Sequence, residues 1–422
     1  RGQSPRDSIA IDPGALLPVG GREVVMSTRR SVRLATRGSD LAVRQAATVK
    51  ERLESRRIDV ELVTVETTGD QIKEELIHQL GKTGAFVRSL DQEVMDGTVD
   101  GAVHSMKDMP TDSPPDLVVA GIPERATPGD VLVTPDGRTI DDLESGAVVG
   151  TSSLRRKAQI RSTRPDLSVE PLRGNVDTRL EKLLAPSLQR EHERRLDAES
   201  NDDATEENGA GDDGDDASGG DDNEDGTTED GGSDGSAAAF DRSVEAWFDD
   251  LAEVERNALE RRPEQEYDAV VLAAAGLERA GLASQVATFG LPTTEFVPAP
   301  GQGALAVTAL EDTEVCEVIN ERLDHPRTRV ETTTERVVLS ELGGGCVAPI
   351  GVHAVVRGAH VHTEVAVFDA EGEREVSATR DLPIEEYVSA ARSFAADLRE
   401  RGAADLIDEA RTDAGDREAK RE

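Results

Sequence analysis

Apolar and polar positions follow two rhythms along the chain. VRLATR (32–37) and DVELVTVE (59–66) read as strands. Between them Ala42, Ala46, Val49 and Leu53 recur at helical spacing behind Ser39, a candidate N-cap. Ala85–Asp96 predicts a second helix and DGAVHS (100–105) another strand. After the Pro- and Gly-bearing run Arg125–Asp130 the alternation resumes. VLVT (131–134), AVVGT (147–151) and LSVEPL (167–172) read as strands, SLRRKAQIRST (153–163) and NVDTRLEKLL (175–184) as helices. Such alternation predicts an α/β organisation with largely parallel sheets.

The rhythm then breaks. Pro186 is expected to end the helix, and Gly, Asp, Glu, Ser and Thr dominate to about residue 236. Too little apolar surface is available there to offset chain entropy, so disorder is expected over about 187–240. Val244, Trp247, Phe248, Leu251 and Val254 suggest one amphipathic helix flanking that stretch. YDAVVLAAAG (267–276) reads as a strand and turn. The last hundred residues differ in pattern: a helix before Gly343, alternating strands in GVHAVVRG, VHTEVAVFD and EREVSAT, then an amphipathic helix from Pro383. They predict a small α+β domain. Residues 1–25 carry no period and several Gly and Pro, so a disordered leader is expected there.

Composition narrows the function classes. Lys and Arg number 48 against 86 Asp and Glu, a net charge of −38 over 422 residues. Seventeen of those carboxylates lie in Asp197–Gly235, which has no Lys or Arg; removing them from −38 leaves −21. A broad acidic excess of this kind points to a salt-adapted surface, since in about 1 M salt the Debye length falls to about 3 Å and self-repulsion is screened. The same field repels phosphate, so no nucleic-acid partner is expected. No apolar run approaches the length of a membrane span, and no membrane partner is expected either. Two cysteines, Cys316 and Cys346, make no disulfide framework, and a reducing, cytoplasmic setting follows. Seven scattered histidines show no ligand spacing, so no metal is expected.

Chemistry concentrates in a few segments. Arg37, Arg155 and Arg156, Arg173 and Arg179, and Arg279 stand at strand ends or helix starts, the junctions where open α/β sheets place ligands. Each alone reads equally as a surface charge; at four equivalent junctions they favour a polyanion site. HSMKDMPT (104–111) follows a strand directly. Its Lys107-Asp108 pair is either an ordinary turn ion pair or a carboxylate presented to a developing cation. LGGGCVAPI (342–350) puts Cys346 behind three glycines, as an inert buried thiol or an accessible nucleophile. PAPGQG (298–303) reads as a crossing between domains, with Gln302 as a polar contact.

Taken in order, TRGSDLAVRQA, HSMKDMPT, GTSSLRR, RGNVDTRL, PGQGALAV and GGGCVAPIG resemble the motifs of the porphobilinogen deaminase (hydroxymethylbilane synthase) family nearly letter for letter. That resemblance implies two domains similar to type II periplasmic binding proteins around a cleft, plus a small α+β C-terminal domain. The boundaries it suggests are a leader 1–30, domain 1 at 31–127 and 302–322, domain 2 at 128–301, and domain 3 at 323–412. It implies a transferase of tetrapyrrole biosynthesis that joins four porphobilinogen molecules head to tail, with loss of ammonia, to give hydroxymethylbilane. Cys346 matches the cysteine that carries dipyrromethane through a thioether, and Asp108 the catalytic aspartate. Lys107, Ser153, Arg155, Arg156 and Arg173 match cofactor contacts; Arg37, Ser39, Arg179, Arg279, Phe86 and Gln302 match substrate contacts. Thr68 and the Lys82-Thr83-Gly84 run depart from the family pattern around its glycine-rich lid. A monomer is expected. A non-enzymatic anion-binding module with the same cleft is the competing reading, against which the third domain and Cys346 stand.

Overall fold

Strand β1 (Arg30–Arg37) buries Val32 and Leu34 on one face and Ala35 on the other, as a strand covered by helices on both sides must. The first face packs on Ala46, Val49 and Leu53 of helix α1 (Asp40–Leu53), the second on Leu90 and Val94 of α2 (Thr83–Met95). This computed structural model describes residues 30–65, 83–112, 114–208, 240–262, 265–344 and 348–419. Around β1 lie β2 (Ile58–Val65), β3 (Gly101–Ser105) and β4 (Leu117–Gly121). Together with β10 (Leu305–Leu310) they form a five-stranded sheet in the order β2-β1-β3-β10-β4.

The chain leaves this sheet after Gly121 and enters a second one through β5 (Asp130–Val133). β6 (Val148–Gly150), helix α3 (Leu154–Thr163), β7 (Ser168–Glu170) and helix α4 (Val176–Asn208) follow. Then come α5 (Val244–Asp250), α6 (Glu253–Leu259), β8 (Ala269–Ala273), α7 (Ala274–Arg279) and β9 (Thr288–Gly290). The second sheet runs β7-β6-β8-β5-β9. One strand in each sheet opposes its neighbours: β10 is antiparallel to β3 and β4, and β5 to β8 and β9. Both are strands reached by crossing from the other sheet, so no helical crossover within their own sheet fixes their direction. The remaining pairs are parallel, as the alternation predicts.

After α8 (Glu314–Leu323) and α9 (Pro326–Glu341), strands β11 (Ile350–Arg357), β12 (His360–Phe368) and β13 (Glu375–Pro383) make an antiparallel meander. Its inner face (Val352, Val361, Val365 and Val367) packs on Val338 of α9 and on Phe394 and Leu398 of α10 (Tyr387–Leu398). α11 (Ala404–Ala419) closes the chain behind Gly402, whose φ of 102° breaks the run. Among the described residues no helix is long and apolar enough to cross a membrane.

Two expectations require correction. Pro186 does not end its helix: α4 runs on to Asn208, so residues 187–208 are helical where disorder was expected. Leu183, Leu184 and Ala185 before the proline and Leu188 after it share one apolar cluster with Val254 and Ala258. Tertiary burial on both sides outweighs the roughly 3 kcal/mol cost of an internal proline. Beyond it, the Arg195 guanidinium lies 4.2 Å from the Phe240 ring centroid and 5.3 Å from that of Trp247, tying the far turns of α4 to the returning chain. The expected single amphipathic helix is instead two, α5 and α6. Leu251 and Ala252 are extended, and the Glu255 carboxylate accepts from the Ala252 N–H at 2.8 Å, capping a new start. The leader and the acidic core of the insertion, residues 209–239, lie outside the described residues.

Candidate functional site

Asp108 closes a 3-10 turn, Met106–Asp108, just past the C-terminal end of β3. The turn sits on apolar ground: Met106 and Met109 pack with Val87 of α2 and with Ala304 and Ala306. Met106 N–H donates to the Ala304 carbonyl at 3.0 Å. Gly301 meets Met106 so closely that a Cβ there would lie 2.4 Å from Met106 Cγ, and its φ is +74°; glycine is required. Lys107, between Met106 and Met109, is half-buried. Burial pushes its ammonium pKa down; the Asp108 carboxylate opposes that, while Arg156 and Arg155 add to it. One lysine thus feels charges carried by both sheets.

Those charges come from the start of α3. Ser153 caps the helix, its hydroxyl accepting from Arg156 N–H at 3.4 Å, and Arg155 and Arg156 in the first turn point inward. Arg155 and Arg156 are both buried, and each donates from Nη2 to one oxygen of Asp130 at 2.8 Å. Arg155 also bonds Gln159 and the Val297 carbonyl, and Arg156 the Val271 carbonyl. Burial alone would raise the Asp130 pKa; the two guanidinium groups outweigh it and hold the carboxyl far below its usual range. Gln302, 1% exposed, donates to Asp130 Oδ1 at 2.8 Å and to the Pro128 and Gly129 carbonyls. Its amide joins the second crossing to the first.

The remaining arginines occupy the same edges of their sheets. Arg37 ends β1, and Arg173 follows β7. Arg179, in the first turns of α4, donates from Nε to the Gly174 carbonyl at 2.8 Å. Burial, with Arg156 nearby, lowers its pKa to about 10. Arg279 donates to the Gly303 carbonyl at 2.6 Å, at the junction of the two crossings. Burial lowers its pKa too, against the pull of Glu278. Ser39 caps α1, accepting from Ala42 N–H. Phe86 lies in the first turn of α2. Cys346, Thr68 and Lys82 lie outside the described residues.

Three residues of the site escaped sequence reasoning. Asp130 opens an apolar strand, and an acid in that place was the available signal. Arg125 and Glu335 form a buried fork-to-fork pair at 2.8 and 3.0 Å. Glu335 also accepts from Gly301 N–H at 2.6 Å and from Ala354 N–H at 2.8 Å. Burial would raise its pKa, but Arg125 keeps it below the usual carboxylate range. This pair locks the C-terminal domain to both crossings.

The cluster suits a ligand rich in carboxylates. Arg155, Arg156 and Lys107 outnumber Asp130 and Asp108, and Nε of both arginines is buried without a hydrogen-bond partner among the described residues. Dipyrromethane, with acetate and propionate on each ring, fits such a surplus of donors.

Two family models match the chain. Porphobilinogen deaminase, dipyromethane cofactor binding domain, matches residues 32–190 and 255–317, and Porphobilinogen deaminase, C-terminal domain, matches 330–400. A probable porphobilinogen deaminase of Halobacterium salinarum is 56% identical over 91% of this chain and 99% of its own length. One of Methanococcoides burtonii is 33% identical, over 89% and 96%. The porphobilinogen deaminase of Syntrophomonas wolfei is 31% identical, over 90% and 99%.

Proposed function

Because this chain belongs to the porphobilinogen deaminase family, we propose that its reaction takes place at the Asp108 turn, opposite the Arg155–Arg156 pair. The chain is a transferase that joins four porphobilinogen molecules head to tail, with loss of ammonia, to give hydroxymethylbilane, and it uses a dipyrromethane cofactor. When bound, dipyrromethane supplies the pyrrole α-carbon to which the first porphobilinogen is joined.

The chain's own residues divide the work. Cys346 would hold the cofactor by a thioether, and Lys107, Ser153, Arg155, Arg156 and Arg173 would take its carboxylates. Arg37, Ser39, Arg179 and Arg279 would receive those of the incoming substrate, with Phe86 at the lid and Gln302 keeping the crossings in register. Each addition breaks the substrate's methylene carbon–nitrogen bond with release of one ammonia, makes one carbon–carbon bond to that methylene, and sheds one proton from the attacking α-carbon. The Asp108 carboxylate accepts the pyrrole N–H and stands beside the positive charge that ammonia loss creates. At about 4 Å and an effective dielectric of about 20, that pairing is worth on the order of 4 kcal/mol. If it acts only in the transition state, this is about three decades of rate.

The observation that carries this reading is Lys107. It sits in the turn that rests on Gly301 and Ala304, and between those two Gln302 reaches Asp130, the partner of Arg155 and Arg156; that continuity supports one shared cleft. Asp108→Asn tests it: the variant should retain bound cofactor by mass and lose turnover by about two to three decades. Near-normal turnover would remove Asp108 from the mechanism. A monomer working in the cytoplasm, with an insertion that serves solvation in high salt, belongs to the same proposal. The net charge of −38 supports it.

A further inference from the structure

Helix α9 touches the reaction centre with two consecutive residues. Glu335 Oε2 accepts from Gly301 N–H at 2.6 Å, and Gly301 abuts the Met106 side chain at the front of the 3-10 turn. At the back of the turn, Arg336 donates from Nη1 to the Met109 carbonyl at 3.2 Å and from Nη2 to the Pro110 carbonyl at 2.6 Å. Asp108 lies between these two points of attachment. Its own turn is short: Met109 N–H bonds the Met106 carbonyl at 3.2 Å, and Met106 N–H the Ala304 carbonyl. Nothing in three residues of 3-10 helix fixes the direction of a carboxylate to a few tenths of an ångström. A forked cation on two successive carbonyls does, because both its distances and its plane are set.

We propose that Arg336 is a positioning residue of the reaction: from the C-terminal domain it fixes the turn that presents Asp108. The inference rests on Asp108 being the catalytic carboxylate. It also gives the third domain a task in the chemistry besides carrying Cys346. Glu335 anchors α9 to Arg125 and Gly301, so the helix that carries Arg336 is referenced to both crossings. The turn and the arginine pair would then keep their separation through one rigid element.

The test uses the cofactor-loaded enzyme. Arg336→Met should keep the cofactor mass, the melting temperature within a few degrees and KM nearly unchanged, while kcat falls by about 10- to 100-fold, the cost of an ångström-scale misplacement. Arg336→Lys, which reaches one carbonyl but not two, should recover part of that loss. In the double variant Asp108→Asn/Arg336→Met, the second change should add little, because a misplaced carboxylate that is already absent costs nothing more. Unchanged kcat in Arg336→Met, a loss matched by the fraction unfolded, or full additivity with Asp108→Asn would overturn the proposal. If Asp108→Asn itself stays active, it is the catalytic reading that fails, and the two failures are distinguished.

Discussion

Asp130→Asn puts the electrostatics of the cleft under the most direct strain. The Asp130 side chain is 0% exposed and lies 2.8 Å from Nη2 of Arg155 and of Arg156, which are 5% and 6% exposed. Neutralising it leaves two buried guanidinium ions side by side, and breaking a buried pair in this way costs about 3–5 kcal/mol. Asparagine keeps one acceptor oxygen, so the lower end applies at first contact, but its amide nitrogen must then face a cation. At about 2–4 °C per kcal/mol, the melting transition should fall by about 6–20 °C. The pH dependence has a definite sign. The folded pKa is depressed, so the stabilisation is complete above the unfolded aspartate value of about 3.9 and is lost as pH falls through the folded value. Calorimetry in molar KCl should show a gap between wild type and variant that is flat from about pH 5 to 9 and narrows only below about pH 4. A melting point lowered by less than about 2 °C would refute the reasoning, as would a gap that closes near neutrality.

Two further outcomes follow from the charge distribution and the insertion. Replacing residues 209–239 by a short Gly-Ser linker should leave kcat unchanged in a steady-state assay, since the segment contains none of the site residues and a change in its length shifts closure entropy by only about 1 kcal/mol; a lost or strongly reduced rate would give the segment a part in catalysis. Unfolding midpoints should rise between dilute buffer and molar KCl, because a charge of −38 repels itself until the Debye length shrinks to about 3 Å; flat midpoints would contradict a salt-adapted surface.

Much of this architecture was legible because local patterns agree with tertiary burial. Strands β1–β3 and β5–β8 and the capped start at Ser39 follow from alternation and N-cap chemistry alone, whereas β4, β9 and β10 are not read as strands. Propensity misled at Pro186, where burial of Leu184 and Leu188 on one cluster overrides the ring's penalty. It misled again at Leu251, where the Glu255 cap resets the helix. The arginines stood out as a set by their place at strand ends. Asp130, Arg125 and Glu335 did not, because their meaning lies in partners far away in sequence: Arg125 and Glu335 are 210 residues apart, and Gln302 reaches Asp130 across 172. No local window contains such pairs. Gln302 shows the same limit from the other side, since its glycine-flanked motif marks a crossing but not the carbonyls its amide secures.

The most direct test of the account is the intact mass of the purified protein beside that of Cys346→Ser. The wild-type chain should be heavier than its sequence by a two-ring pyrrole adduct, and the serine variant should carry none. The same adduct on both proteins, or none on either, would contradict a cofactor held at Cys346.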